Sequence, residues 1–187
     1  MPNYKPEEKI YLTYKTRMTS ERRLRNSAKI TNLLLAWYSF SLIVFSLIDL
    51  SKILTISNFS VISAVGSIAI FGTSLYIYGE HYSERAENFR NCYLKLKALY
   101  ESSLSTPEKM QRYADVLEIY ENQTDEDYDE MMFDAFLRGQ NLLNAEGPIR
   151  ITTVKFLMVF CKRVVRYTST STIFLLPTLA WALWVDR

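Results

Sequence analysis

The chain has 187 residues, of which 49% are hydrophobic and 22% are charged, and its formal net charge is +2. This length favours one domain, or one membrane hairpin with a modest soluble part. The sequence has no glycine-rich phosphate loop, no catalytic dyad around its single histidine and no metal-ligand spacing. We therefore expect a protein that is not an enzyme, with no catalytic residues, no cofactor and no metal site.

Residues 1–29 are predicted to form a basic cytosolic helical arm, with eight Lys or Arg against three acidic residues. Pro6, followed by Glu7 and Glu8, is typical of a helix start. The basic residues nearest the first apolar segment are predicted to anchor the arm at the membrane: Arg22, Arg23, Arg25 and Lys29. Nucleic acid is the alternative partner for them, but a position just before a membrane span favours anchoring, so no direct nucleic-acid binding is expected.

Two apolar segments follow, and we predict transmembrane helices at 30–48 and 56–78. No Lys, Arg, Asp or Glu occurs between Lys29 and Asp49 or between Lys52 and Glu80. Crossing the hydrocarbon core takes about 20 helical residues, so both segments qualify by length. The alternative is a pair of core helices in a soluble bundle, which would normally keep a charged face.

The second apolar segment carries a row of hydroxyl side chains, Ser60, Ser63, Ser67 and Ser74, on one predicted helix face. Small residues and hydroxyls permit close helix packing in a membrane. The same face could instead line a water-filled path in an oligomer. The sequence leaves both readings open, and the absence of charge within the spans disfavours an ion pump.

Residues 79–166 are predicted to form a cytosolic helical region that starts with a heptad pattern. The packing seam of this pattern consists of Tyr82, Ala86, Phe89, Tyr93, Leu96 and Tyr100. Such a seam packs along another helix. It could pack on the protein's own N-terminal arm or on another subunit.

Further along this region an acidic stretch, "NQTDEDYDEMMF", is predicted to start a helix capped by Thr124, and Gly139 is a plausible stop. Its acids form a predicted partner surface: Asp125, Glu126, Asp127, Asp129 and Glu130. They resemble the start of a calcium loop, but Glu130 and Phe136 occupy the positions that need glycine and a bidentate acid, so calcium binding is not expected. An earlier helix is predicted to be capped by Thr106.

The last predicted element is a helix that enters a third apolar window at 167–185, after a loop at "NAEGPIR". Residues 101–146 hold three basic residues against twelve acids, whereas residues 147–172 hold five basic residues and no acid. We expect the basic stretch near the anionic membrane surface and the acidic stretch away from it. The prediction of the third span is weaker than that of the first two, because the window begins with the polar residues 167–172 and contains Pro177.

The predicted fold class is all-α: a membrane helical hairpin with long cytosolic helical extensions and a third, C-terminal transmembrane helix. Positive charge flanks the hairpin at the arm and after the second span, which places the N-terminus in the cytoplasm. Cys92 and Cys161 fall in the predicted cytosolic parts, where free thiols are expected.

Three stretches in this order carry a resemblance to a known family. They are "RMTSERRLRNSAKITNLLLAWYSFSLIVFSLI", a second span ending in "YIYGEHYSERAENFRNCYLKLKALY", and "YADVLEIYENQTDEDYD". Over residues 10–140 the chain resembles the SLATT family of two-transmembrane effectors, which are named for their association with SMODS nucleotidyltransferases and SLOG sensor domains. It is most similar to the subfamily found beside reverse transcriptases.

The resemblance implies an integral protein of the bacterial inner membrane that acts in antiphage defence. Family members are proposed to damage that membrane when a partner signals infection, so a pore-forming homo-oligomer in the lipid bilayer is expected. Because the sequence shows no SLOG or cyclase module, a separate sensor, nucleotidyltransferase or reverse transcriptase is the expected partner. The alternative is a non-conducting membrane scaffold that recruits a cytosolic enzyme through its acidic helical region.

Overall fold

A computed structural model describes residues 7–51, 58–140, 142–144, 147–149 and 151–185. The elements are α1 Glu7–Leu50, α2 Phe59–Gly79, α3 Tyr82–Glu101, α4 Thr106–Ile119, α5 Asp125–Leu137, β1 Leu142–Asn144, β2 Gly147–Ile149 and α6 Thr153–Val185. The predicted all-α class is confirmed. The helix start at Pro6, most of the loop between the predicted spans and residues 56–57 of the second span lie outside the described residues.

The first helix, α1, is a single helix of 44 residues. Its sequence has neither glycine nor proline, so nothing interrupts the backbone hydrogen bonds between the basic arm and the first apolar segment. At 1.5 Å per residue it is about 66 Å long, roughly twice the ~30 Å of a bilayer core. Only part of α1 can therefore lie within a membrane, as the partition of its sequence predicts.

Local sequence signals account for the ends of the shorter helices. Thr124 caps α5 as predicted, because its Oγ1 accepts a hydrogen bond from the Asp127 amide at 3.3 Å. Gly139, at φ +64°, follows α5 as predicted, and a backbone bond from Gln140 N to Ala135 O closes the helix end. The prediction that Thr106 caps α4 is wrong by one residue.

The cap of α4 is Ser105, whose backbone N–H and hydroxyl both donate to the Glu108 carboxylate, at 3.2 and 2.8 Å. Proline fits the first turn of a helix and needs no amide partner there, so Pro107 suits either register. The reciprocal contact with Glu108 favours Ser105 as the cap.

A short antiparallel hairpin occupies the stretch that the sequence predicted to be a loop. Its register pairs Leu142 with Ile149 and Asn144 with Gly147. Leu142 is 3% exposed and contacts Met131 and Met132 of α5 in a small apolar cluster. Burial of this leucine explains why three residues on each side pair although the segment contains glycine and proline.

The chain divides into two compact units. The first, here called the charged unit, comprises Met1–Asn26 and Ser83–Arg163, and the second, the apolar unit, comprises Ser27–Tyr82 and Val164–Arg187. The core of the charged unit joins Ile10 of α1, Leu96 of α3 and Tyr113 of α4. In the apolar unit, large apolar side chains of α1, α2 and α6 are widely exposed, for example Ile68 of α2 at 71%.

Candidate functional site

The serines of α2 divide into two groups in the apolar unit. Ser63 and Ser74 are half-buried, whereas Ser60 and Ser67 are exposed. The hydroxyls of Ser63, Ser67 and Ser74 donate to carbonyls of their own helix, at 2.8–3.0 Å. Each hydroxyl oxygen keeps acceptor capacity, so the face stays able to bind water or a neighbouring donor.

The half-buried serines belong to the face of α2 that packs within the unit. Gly66 and Ile70 lie on the same face and are half-buried too. A methyl group added at Gly66 would meet the Leu42 side chain of α1 at 3.6 Å, an ordinary van der Waals distance. This face follows the small-residue packing mode, whereas Ser60 and Ser67, at its edge, remain uncovered within the chain.

The proline of α6 is accommodated by a side chain from α1. Pro177 has no N–H, so a helix containing it leaves the carbonyl of Ile173 without its usual partner. The Tyr38 hydroxyl donates to that Ile173 carbonyl at 2.7 Å. In lipid an unpaired carbonyl is costly, so this bond allows an apolar helix to continue through proline.

A second contact reinforces the same junction. The Trp37 indole N–H donates to the Phe174 carbonyl at 3.0 Å, and the two rings stack with centroids 5.3 Å apart. The stacked rings and the hydrogen bond together hold α6 against α1 within the apolar unit. The first half of the predicted third span is therefore packed on the first span.

The predicted membrane-anchoring residues have different surroundings in the structure. Arg22 contacts Asp134 at 3.2 Å, and Arg23 contacts Asp127 at 2.7 Å. Arg25 pairs with Glu21 on the same helix, and Lys29 is exposed. Arg22 and Arg23 thus join α1 to α5, a role that the sequence prediction did not foresee.

The Arg23–Asp127 pair is the most buried ion pair described in the charged unit. The exposed fractions of the two side chains are 26% and 1%. Burial alone would raise the pKa of Asp127, but hydrogen bonds from Arg23, Ser20 and Thr124 outweigh it and lower that pKa below its usual value. Asp127 is therefore held ionised inside the unit and is not available as part of a partner surface.

Other acids of the predicted partner surface face basic residues of α6. Glu126 accepts from Lys162 at 2.8 Å, and Asp129 accepts from Lys155 at 3.0 Å. Glu130 lies 3.2 Å from Arg163. The acidic and basic stretches expected to lie apart instead pair with each other, because α5 and α6 pack together; Asp125 is exposed.

From Ala86 onward the heptad seam of α3 faces the core of the charged unit, whereas Tyr82 belongs to the apolar unit. Ala86, Phe89 and Leu96 are buried, and Tyr82, Tyr93 and Tyr100 are half-buried. Leu96 packs in one cluster with Ile10 of the N-terminal arm, and the Tyr100 ring lies 5.6 Å from that of Tyr11. Of the two arrangements left open by the sequence, the structure shows packing on the protein's own arm.

Sequence reasoning missed a fully buried arginine. Arg17 has no exposed surface, and its guanidinium donates to Cys92 Sγ at 2.7 Å, Gln123 Oε1 at 3.2 Å and Asn122 Oδ1 at 3.5 Å. The "NQTD" turn could have signalled it, since two neighbouring side-chain amides beside a cap are potential acceptors. Burial raises the pKa of the Cys92 thiol, an effect larger than the opposing influence of Arg17.

Within the part of the chain that the structure describes, no group of three His, Cys, Asp or Glu side chains could hold a metal ion. Two described helical segments, Glu7–Leu50 and Phe59–Glu101, are long and apolar enough to cross a membrane. Only 6% of the most apolar stretch of the first, and none of that of the second, is buried.

The model of the SMODS and SLOG-associating 2TM effector domain family 5 matches residues 4–183. The chain belongs to this SLATT family. SLATT proteins are two-transmembrane effectors of defence systems, and the two apolar helices fit that description. The match also includes α6, which the sequence resemblance over 10–140 did not reach. No curated protein and no solved structure shows significant similarity to the chain.

Proposed function

We propose that this SLATT protein is an oligomeric effector that permeabilises the bacterial inner membrane in an antiphage defence system. The observation that carries the proposal is the exposure of the apolar helices: Val65, Ile68 and Phe71 of α2 are 62–71% exposed. Lipid or neighbouring subunits must cover such a surface, because burying a side chain of this size is worth about 1.5–3 kcal/mol.

The uncovered serines indicate which part of α2 would meet in an oligomer. Ser60 and Ser67 lie at the edge of the packed face, seven residues apart, so both project the same way from the helix. In a ring of subunits their hydroxyls would offer hydrogen bonds to water in an otherwise apolar wall. A passive path needs no ionisable group, in contrast to a coupled transporter.

The proposed orientation has the N-terminus and residues 79–166 in the cytoplasm, on the basis of the positive flanks. We propose that α6 crosses the membrane as a third span over 167–185, supported by its packing on Trp37 and Tyr38. A separate sensor, nucleotidyltransferase or reverse transcriptase would supply the signal; the resemblance of the sequence to the reverse-transcriptase-associated subfamily supports this proposal.

Dye leakage tests the proposal. The protein, co-expressed with its neighbouring genes, should admit propidium iodide into cells upon phage infection. The variant Ser60→Leu/Ser67→Leu should lower dye entry at least tenfold. Thr73→Leu is the matched control, since Thr73 is also exposed but lies at the opposite edge of the packed face.

Membrane insertion of each variant is verified by flotation, so that loss of protein is distinguished from loss of leakage. Cells that arrest or die while their membrane stays tight to both dye and ions would contradict permeabilisation. Equal loss with Thr73→Leu would contradict the assignment of the serine face.

A second candidate is a non-conducting scaffold that recruits a cytosolic enzyme. It is favoured by apolar side chains exposed on the charged unit, where Phe136 and Leu137 of α5 and Leu157 of α6 are 58–60% exposed. The variant Asp125→Lys/Phe136→Ser should no longer retain the partner in a pull-down. If the protein is a scaffold, the membrane should stay tight to dye both before and after infection. Leakage in cells carrying this variant would favour the effector instead.

A further inference from the structure

A small cleft opens on the charged unit between α1, the end of α5 and the segment that follows α5. Three cationic side chains line it, Lys15 and Arg22 from α1 and Arg138 from the end of α5, together with the carboxylate of Asp134 and the side-chain amide of Gln140. Met18 and Met131 contribute apolar surface. Among the described residues, the lining therefore combines three positive charges with one negative charge.

The one carboxylate among the described lining residues is hydrogen-bonded both from within the cleft and from outside it. Asp134 accepts from Arg163 of α6 at 2.7 Å and from Arg22 at 3.2 Å. Arg163 does not line the cleft, and its charge is balanced by Glu130 at 3.2 Å, so the described lining residues keep an excess of two positive charges. An anion entering the cleft would meet a net attraction.

Two of the cations have no acidic partner among the described residues. The Lys15 ammonium lies over the rings of Tyr11 and Tyr14, at 5.6 and 5.8 Å from their centroids. The Arg138 side chain is exposed, and no described residue bonds its guanidinium. Both groups thus retain their full hydrogen-bonding capacity toward a ligand.

The size of the cleft limits what enters it. Its volume of about 30 Å³ corresponds to two or three water-sized spheres, at roughly 10–15 Å³ each. Two or three oxygens of a phosphoryl group fit, whereas a nucleobase or a peptide segment does not. Arginine presents a planar fork that matches phosphate oxygens, and lysine adds a point charge, so a phosphoryl group suits this set better than a carboxylate.

We propose that this cleft binds the phosphate group of a phosphate-bearing anion, supplied either by a free phosphate compound or by a phospholipid head group. Binding would join α1 to the end of α5 through Lys15 and Arg138. Such a ligand would also stabilise the folded charged unit, since it binds only the assembled cleft. The site does not depend on whether the protein permeabilises a membrane.

The test is a calorimetric titration of the full chain, in an uncharged detergent, with pyrophosphate. The variant Lys15→Gln/Arg138→Gln should weaken binding at least tenfold, because it removes the two unpaired cations. Arg112→Gln is the control: Arg112 is also exposed, lies on α4 and is not among the residues that line the cleft, and its substitution removes the same kind of charge. Its affinity should stay within twofold of the unmodified protein.

A second arm identifies the source of the phosphate. The protein is reconstituted in nanodiscs of phosphatidylcholine with or without phosphatidylglycerol. It is then extracted into uncharged detergent, and the lipid that stays bound to it is measured by mass spectrometry. Retention of phosphatidylglycerol that Lys15→Gln/Arg138→Gln abolishes would support a lipid head group. Pyrophosphate binding without lipid retention would support a free phosphate compound.

The proposal is overturned if neither pyrophosphate nor phosphatidylglycerol binds, or if Arg112→Gln weakens binding as much as the cleft variant. Melting temperatures of all variants are recorded without ligand. Lys15 and Arg138 have no acidic partner among the described residues, and Lys15→Gln loses only its contacts with the Tyr11 and Tyr14 rings. Unliganded variants should therefore melt within about 4 °C of the unmodified protein, which separates loss of binding from loss of fold.

Discussion

Asp127 is the residue on which the contact between α1 and α5 depends most. Its carboxylate accepts both hydrogen bonds of the Arg23 fork, at 2.7 and 3.2 Å, and also accepts from the Thr124 hydroxyl at 2.8 Å. A buried pair contributes little relative to apolar replacements, but removal of one partner leaves the other charge without compensation. The two residues therefore stabilise the unit only together.

Asp127→Asn should destabilise the charged unit by about 3 kcal/mol, because the Arg23 guanidinium loses its charged partner in a partly buried position. Urea unfolding of the detergent-solubilised protein, followed by circular dichroism, measures the change. Asp125→Asn is the control, since Asp125 is exposed and begins the same helix. Equal effects of the two substitutions would show that only helix-end electrostatics matter.

The same carboxyl predicts how stability responds to acid. Because the folded pKa of Asp127 is lowered, the pair contributes fully above the unfolded value of about 3.9, and the contribution is lost as pH falls through the lowered folded pKa. The difference in unfolding free energy between the unmodified protein and Asp127→Asn should thus be constant from pH 7 to 5 and shrink below pH 4. A difference that grows in acid would contradict the lowered pKa.

The sequence located the charges near the first span but not their partners. Arg22 and Arg23 sit just before an apolar segment, where anchoring to lipid is the simplest expectation. Their actual acceptors, Asp134 and Asp127, lie more than 100 residues away. Which acids bind Arg22 and Arg23 depends on how α1 and α5 pack, and no local sequence pattern encodes that packing. The burial of Arg17 was not predictable for the same reason.

At the scale of elements, α6 shows how a proline can occur inside an apolar helix. The free carbonyl at Ile173 meets the Tyr38 hydroxyl, so the hydrogen bond that proline removes within α6 is replaced by one from α1. In the sequence analysis, Pro177 weakened the prediction of a third membrane span. The structure supplies a hydrogen-bond donor for the Ile173 carbonyl, and it gives Tyr38 a role within the uncharged first segment.

Tyr38→Phe should lower the free energy of unfolding by about 1 kcal/mol, since it leaves the Ile173 carbonyl without a partner in an apolar setting. In the background of Pro177→Ala, the restored N–H bonds that carbonyl, and the same substitution should cost less than half as much. Denaturation of the four proteins of this cycle in detergent measures the coupling. Equal costs in both backgrounds would contradict the compensation.

Element types were predictable along most of the chain, because long apolar stretches and periodic amphipathic stretches favour helices, even with Gly66 inside α2 and Pro177 inside α6. Thr124 and Gly139 fixed both ends of α5 in advance. The hairpin of β1 and β2 was not predictable, since its three-residue strands are held by the burial of Leu142 against α5. The separation of the α2 serines into half-buried and exposed groups was not predictable either, because it depends on where α1, and in particular Leu42, packs on α2.

At the scale of the whole molecule, the distribution of charge predicts the side of the membrane on which each cysteine lies. Cys161 is exposed and Cys92 is buried, and burial raises the pKa of the Cys92 thiol, which lowers its reactivity. A membrane-impermeant maleimide should label no cysteine in intact spheroplasts and should label Cys161 once the membrane is permeabilised. Cys161→Ser should abolish that signal, and labelling of intact spheroplasts would reverse the orientation.

Charge is absent from sequence windows of 19 and 27 residues, and both windows lie within the apolar unit. The internal pairing of charges was not predictable from the sequence. We had expected the acidic and basic stretches to lie apart, yet Lys155 and Lys162 of α6 bind acids of α5. Opposite signs in adjacent segments attract and favour contact, and the packing of the two helices brings these charges within reach of one another.

Alkaline carbonate extraction of membranes from cells that express the protein tests most directly whether α1 and α2 lie in lipid. Helices held by the hydrocarbon core resist high pH, whereas proteins bound by charge or to other proteins are released. We expect the full-length chain to remain in the membrane pellet. Its quantitative recovery in the supernatant, as a folded particle without detergent, would contradict the account.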